Sequence, residues 1–323
     1  MCTAIAICGN KHYFGRNLDL SYHYSESVTI TPRKYLLEFC DGQKTNSHYA
    51  IIGIATVIDN YPLYYDAVNE YGLCIAAINF PGNAVYRKRR LDKTNIASYE
   101  LIPWLLSQHT NVGAVKQALS AINITDEAFS EDFPPTPLHW MISDRDCAIV
   151  LESTSEGIKV YDNPARVLTN NPPFPFQLYN LRNYLNITSM SPSNRFAQTI
   201  DLHPYSLGMG GIGLPGDLSS TSRFVRATFH LHNAEFKNTD EDEICQFFHI
   251  LNSVSQVEGT VDDNGKWAKT VYSSCCNADE GVYYYTTYEN QQITTVSLKN
   301  YDLNCDQIVS YPLRTKPNFY YED

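Results

Sequence analysis

Short apolar or alternating runs dominate the first eighty residues. Residues 3–8, 12–16, 27–31 and 49–58 are each bounded by Gly, Asn, Pro or Asp and read as strands. Residues 67–80 extend the series as a hairpin turning at Glu70-Tyr71-Gly72. The apolar spacing then changes to three and four residues, which predicts a helix capped by Asn95 and running through Gln108, and another from Asn111 through Ile122. Residues 139–143, 147–152, 157–161 and 165–169 read as four strands of a meander. A loop rich in Gly, Pro and Ser covers residues 207–222. The next helix opens at Thr239-Asp240-Glu241-Asp242-Glu243 and ends near Val254, its acidic first turn matched to the helix dipole. Residues 281–288 and 292–298 close the chain as a strand pair. Strands, helices, strands, helix, strands: this order fits an α+β layered fold with antiparallel sheets better than a doubly wound parallel one.

No change in composition and no fixed-period repeat divides the chain, so residues 1–323 are expected to form a single domain. A hydrophobic share of 43% with 18% charged residues excludes a disordered chain. The net charge of −11 repels phosphate backbones and anionic lipid, so neither nucleic acid nor a membrane is an expected partner. The longest apolar run, residues 49–58, is too short to span a bilayer, and the first residues lack the basic and apolar regions of a signal peptide. Nine cysteines, an odd number with no CxxC pair, argue against a structural zinc site and against full pairing. A cytoplasmic protein with free thiols is the expectation.

The run Gly208-Met209-Gly210-Gly211-Ile212-Gly213 matches GxGxxG, but Leu214-Pro215-Gly216-Asp217 follows where a dinucleotide site needs a helix. It reads as a loop; a nucleotide-dependent enzyme remains a rival that nucleotide protection against thermal unfolding would support. The nine histidines form no metal-binding pattern on a helix, so no metal and no cofactor are expected. His139, within a strand, reads as a core residue, and the adjacent Cys275 and Cys276 as strand packing.

Cys2 is the sharper feature. Removal of Met1 would leave a cysteine with a free α-amine, a nucleophile and a base in one residue. An α-amine has an ordinary pKa near 8 and needs only modest depression to accept the thiol proton. Arg16-Asn17-Leu18-Asp19 ends the second strand of the opening hairpin, where a guanidinium favours thiolate and a carboxylate orients the ammonium form. A surface ion pair is the plainer reading of Arg16 and Asp19, although Phe14, Gly15 and Leu18 suggest a buried strand, where unpaired charges are costly.

These residues carry a resemblance. Met1-Cys2-Thr3-Ala4-Ile5, Phe14-Gly15-Arg16-Asn17-Leu18-Asp19 and Thr29-Ile30-Thr31-Pro32-Arg33 are similar to the choloylglycine hydrolase family of N-terminal nucleophile hydrolases. Asn69-Glu70-Tyr71-Gly72-Leu73, Ile78-Asn79-Phe80-Pro81-Gly82-Asn83, Leu138-His139-Trp140, Val167-Leu168-Thr169-Asn170-Asn171-Pro172, Gly213-Leu214-Pro215-Gly216-Asp217, Ser222-Arg223-Phe224 and the tyrosine run from Tyr283 carry it along nearly the whole chain. The resemblance implies a four-layered αββα sandwich, Cys2 as nucleophile, and Arg16, Asp19, Asn79, Asn170 and Arg223 as the remaining catalytic residues. Apart from the resemblance, Asn79 and Asn170 read as turn asparagines and Arg223 as a helix-start residue. The family includes bile salt hydrolases and penicillin V acylases. Asn79 matches the former, and Tyr61-Pro62-Leu63-Tyr64-Tyr65, read as a loop, can line a pocket for a rigid sterol. The expected reaction is therefore removal of glycine or taurine from conjugated bile acids, with a homotetramer implied by the resemblance. A penicillin V acylase and a non-catalytic binding member of the fold are the alternatives.

Overall fold

In the computed structural model, which describes residues 1–237 and 239–322, the opening segment is a long antiparallel hairpin of β1 (Cys2–Cys8) and β2 (His12–Leu20), with Cys2 opposite Leu18 and Ala4 opposite Arg16. Twelve further strands complete two large sheets. They are β3 (Ser27–Thr31), β4 (Ile51–Ile58), β5 (Tyr61–Asn69), β6 (Cys74–Asn79), β7 (Leu138–Ser143), β8 (Ala148–Thr154), β9 (Gly157–Asp162), β10 (Val167–Leu168), β11 (Lys269–Asn277), β12 (Val282–Thr287), β13 (Thr294–Ser297) and β14 (Val309–Pro312). One sheet has six strands in the order β10-β1-β2-β11-β12-β13 and the other eight, β9-β8-β7-β6-β5-β4-β3-β14.

The sheets pack face to face, because β1 and β2 each meet β6. Ile5, Ile52, Ile54, Ala76, Ile78 and Met141 belong to the core that joins them. The outer face of the six-stranded sheet is covered by α4 (Ser220–Asn233) and α5 (Asp240–Asn252). The outer face of the eight-stranded sheet packs through Ile51, Ile75 and Trp140 against α1 (Leu101–Leu106) and α2 (Val112–Leu119). The result is the αββα sandwich: each sheet buries both faces, which is why β1 and β4 read as nearly unbroken apolar runs.

Several elements differ from the sequence reading. Asn95 caps no helix; its Oδ1 accepts from Arg90 N at 2.9 Å, and Thr94–Ala97 pairs in parallel with Ile122–Thr125. Helix α1 is therefore confined to six residues, and α2, capped by the Asn111 side chain accepting from Ala114 N, stops before Ile122 enters its strand. The Tyr-rich segment at 61–65 is strand, not loop, as the first half of β5. Val167–Leu168 leaves the meander and pairs with β1 in the other sheet. The Gly-rich loop ends earlier, at Ser219, whose Oγ caps α4. Strand β11 and the short helix α3 (Phe174–Asn180) had no sequence assignment.

Candidate active site

Alternation along β2 divides the residues around Cys2 between the two faces of its sheet. Arg16, Leu18 and Leu20 face the gap between the sheets and, with Cys2, line a cavity of ≈ 320 Å³. Leu63, Tyr65, Ala77 and Asn79 of the opposite sheet form another wall, and Tyr99, Phe129 and Phe133 close the apolar end. Asn17 and Asp19 point the other way, where Asn17 Nδ2 donates to Leu251 O of α5 at 2.8 Å.

Arg16 is completely buried. Its Nη1 donates to Ala77 O at 2.5 Å and to Tyr65 O at 3.0 Å. Tyr65 is the extra residue of a bulge, since Ile54 pairs with Asp66 while Ala55 pairs with Tyr64. A bulged residue leaves the ladder, so its carbonyl is free to meet the guanidinium. Burial pulls the Arg16 guanidinium down, but the negative groups around it, Cys2 foremost and then Tyr272, Asp66 and Asp19, outweigh burial and raise it. Asp66 is itself buried and accepts from Tyr272 Oη at 2.6 Å, from Ser274 Oγ at 3.1 Å and from the Tyr283 hydroxyl. Burial pushes the Asp66 carboxyl up, opposed by Arg16 and these hydroxyls.

On the helix side, Arg223 in the first turn of α4 is also without exposed surface. Nη1 donates to Cys2 O at 2.5 Å and to Thr3 Oγ1 at 2.7 Å, and Nη2 donates to Asn170 Oδ1 at 2.9 Å. The same Asn170 oxygen accepts from Cys2 N at 2.8 Å, while Asn170 Nδ2 donates to Asn79 O at 2.8 Å. One side chain thus joins β1, α4 and the end of β6. Asp19 Oδ1 accepts from Thr270 Oγ1 at 2.6 Å, and Oδ2 lies 3.9 Å from Arg223 Nη1. A second bulge, between Thr270 and Tyr272 of β11, accompanies this contact. Burial raises the Asp19 carboxyl; Arg223, the N-terminal amine and the Thr270 hydroxyl oppose it. Burial likewise lowers the Arg223 guanidinium, and Asp19 and Cys2 pull it back.

All six sequence-predicted positions therefore meet around the first strand. Cys2, Arg16 and Asn79 lie on the cavity, and Asp19, Asn170 and Arg223 hold the main chain of residues 1–3 from behind. Asn79 lines the cavity, and its main-chain oxygen is the acceptor for Asn170 Nδ2. Sequence reasoning missed Asp66, Thr270 and Gln177, which donates to Asn170 O at 2.7 Å; each becomes visible only when distant strands are brought together. The Gly208 run forms one tight turn, Met209–Gly211, separated from α4 by the eight residues up to Ser219 and lacking a preceding strand. Among the described residues no group of three or more His, Cys, Asp or Glu side chains is placed to hold a metal ion, and no helix is long and apolar enough to cross a membrane.

Arg223 and Asp19 give a direct thermodynamic expectation. Replacing Arg223 by Met strands a buried carboxylate, which costs about 3–5 kcal/mol at pH 7. The loss must shrink with acidification: without Arg223 the Asp19 carboxyl rises further, so the folded chain takes up its proton before the unfolded one does, and the penalty fades as pH falls toward ~4. Urea unfolding at pH 7 and pH 4.5 measures this. An R223M deficit that does not change between those pH values contradicts the arrangement.

Comparison with known proteins agrees with this architecture. The profile of linear amide C–N hydrolases of the choloylglycine hydrolase family matches residues 2–311. A bile salt hydrolase/transferase of Lactiplantibacillus plantarum is 52% identical over 321 residues, covering 99% of each chain. The crystal structure of the C2A mutant of the conjugated bile acid hydrolase from Clostridium perfringens superposes with a TM-score of 0.92 at 36% identity, covering 100% of both chains. Penicillin V acylase from Agrobacterium tumefaciens, with a TM-score of 0.77 at 17% identity over 96% of this chain and 90% of its own, shares the fold. By the profile match and by full-length identity, this chain belongs to the choloylglycine hydrolase family of linear amide C–N hydrolases.

Proposed function

We propose that the protein hydrolyses the amide bond of glycine- or taurine-conjugated bile acids, with Cys2 as nucleophile once Met1 is removed. The observation that carries this reading is the position of Cys2 in the wall of an apolar cavity, its main chain locked on both sides by Asn170 and Arg223. The 52% identity to a bile salt hydrolase/transferase over 99% of each chain supports the substrate class.

The chemistry follows from the groups in place. Removal of Met1 turns Cys2 N into the α-amine, already directed at Asn170 Oδ1. That amine takes the thiol proton, and the thiolate forms beside the Arg16 guanidinium. Attack on the amide carbonyl gives a tetrahedral intermediate with a negative oxygen. Asn79, in the cavity wall, can donate its side-chain NH₂ to that oxygen; such a donor supplies roughly 3 kcal/mol to the transition state. The ammonium returns its proton to the departing nitrogen as the carbon–nitrogen bond breaks, so glycine or taurine leaves as a neutral amine. Water, deprotonated by the same amine, then cleaves the thioester and releases the bile acid. Asp19 and Arg223 hold the amine in line, and Asn170 accepts from it. The apolar walls from Leu18, Leu20, Phe129 and Phe133 suit the steroid body, while the net charge of −11 gives an anionic substrate no long-range attraction.

The finer features of the expectation belong here as well. A homotetramer is supported by the exposed apolar side chains of Leu185, Met190, Phe196, Tyr205 and Leu207 along one stretch of chain. A reducing cytoplasm is supported by nine unpaired cysteines, since a Cys2 thiolate on the cavity wall is open to oxidation by what enters the cavity.

Two measurements check these statements. Purified protein incubated separately with glycocholate, taurocholate and penicillin V releases free amine from the bile salts, whereas Cys2→Ala releases none and Asn79→Ala loses about 10²-fold in kcat. No hydrolysis of either bile salt by the Met1-free protein, or full activity in C2A, contradicts the reading. Light scattering at four times the chain mass matches the assembly; a monomer at working concentration contradicts it.

A further inference from the structure

Behind the cavity lies a buried acid–base pair that the mechanism above does not use. His139 of β7 and Glu152 of β8 are directly opposed in the sheet and neither has any exposed surface. His139 Nδ1 stands 3.3 Å from Glu152 Oε1, and that oxygen also accepts from Phe174 N of α3 at 2.8 Å. On the far side of the ring, Nε2 meets Thr169 O at 2.8 Å. A carbonyl oxygen only accepts, so Nε2 carries a proton. Since Oε1 already accepts from Phe174, a hydrogen bond at Nδ1 requires a second proton lying between the ring and the carboxylate. The ring is also stacked on Phe80, with centroids 4.2 Å apart and planes within 5°.

These contacts fall beside both asparagines of the site. Thr169 precedes Asn170, and Phe80 follows Asn79. Neither His139 nor Glu152 lines the cavity. We propose that His139, braced by Glu152, is a positioning residue for amide cleavage: it fixes Thr169 O and so holds the Asn170 side chain against Cys2 N, Arg223 and Asn79 O. Val167–Leu168 is only a two-residue strand, so the chain at Asn170 depends on such side-chain bonds for its place. This inference rests on the reading that Asn170 and Asn79 serve the reacting groups, where a displacement of about 1 Å can cost 10²-fold in rate.

The test uses the full chain with Met1 removed. In H139F/E152Q the phenyl ring keeps the volume and the Phe80 stack, the glutamine oxygen still accepts from Phe174 N, and no buried charge is stranded. The bond to Thr169 O and its brace from residue 152 are lost, and the glutamine NH₂ takes the place of Glu152 Oε2, which is buried and has no hydrogen-bond partner among the described residues. The expected result with glycocholate is a fall in kcat of about ten-fold or more with KM within about two-fold of the unaltered protein. H139Q/E152Q, whose residue 139 amide can donate to Thr169 O, recovers most of that loss. A kcat unchanged in H139F/E152Q, a loss carried entirely by KM, or no recovery with glutamine overturns the proposal. Because the unaltered protein and C2A report on the cysteine mechanism separately, such a failure leaves the bile salt reading standing. Should the double variants not fold, nitrogen NMR of the unaltered protein decides: both His139 ring nitrogens must show hydrogen-bonded signals, and a free lone-pair signal at either one overturns the proposal.

Discussion

A guanidinium with no contact to water ties the active region together. Arg223 reaches from the first turn of α4 to Cys2 O, Thr3 Oγ1 and Asn170 Oδ1, with the Asp19 carboxylate 3.9 Å away. Burying such a charge is expensive unless acceptors and a counter-charge surround it. Here the three acceptors come from two chain segments, the first strand and the Asn170 turn, and the counter-charge comes from a third. The requirement to satisfy Arg223 therefore fixes where the first strand, the Asn170 turn and α4 stand relative to one another. Cys2 lies where those segments meet, so the nucleophile inherits its position from the electrostatics behind it.

The two faces of β2 separate the tasks. One face presents Arg16 beside the Cys2 thiol in the gap between the sheets, and the other presents Asp19 to the helical layer. Regular strands alone would not complete either environment. A bulge in β5 releases the Tyr65 carbonyl toward Arg16, and a bulge in β11 sits beside the Thr270 hydroxyl that reaches Asp19. Behind Arg16, Asp66 gathers three hydroxyls from β11 and β12 and links the two sheets through polar contacts within an otherwise apolar core. Local irregularity in two ladders thus supplies what the buried charges demand.

How much of this was legible beforehand depended on range. The opening hairpin, the β5–β6 turn and the acidic start of α5 are written in neighbouring residues, and the fold has each of them in place. Asn95 misled because its capping chemistry is local, whereas the parallel pairing of residues 94–97 with 122–125 that overrides it is not. Strand β11 was hidden for the same reason: Lys269–Asn277 mixes polar and apolar residues that make sense only between β2 and β12. Cys2, Arg16 and Asp19 could be associated through one hairpin. Asn79, Asn170 and Arg223 had turn or helix-start readings of their own, and only the family resemblance joined them to Cys2. Asp66, Thr270, His139 and Glu152 carry no local signal of their contacts, since their partners lie up to 251 residues away, as in the Thr270–Asp19 bond.

The central claim is that Cys2 works with its own α-amine, so the amine must be free for amide cleavage. The most direct measurement compares glycocholate hydrolysis by the chain that begins at Cys2 with hydrolysis by a chain that keeps one residue ahead of Cys2, their intact masses verified. The account predicts that the blocked chain is slower by about 10²-fold or more, as expected when a positioned general base is removed. Equal rates from the two chains would contradict it.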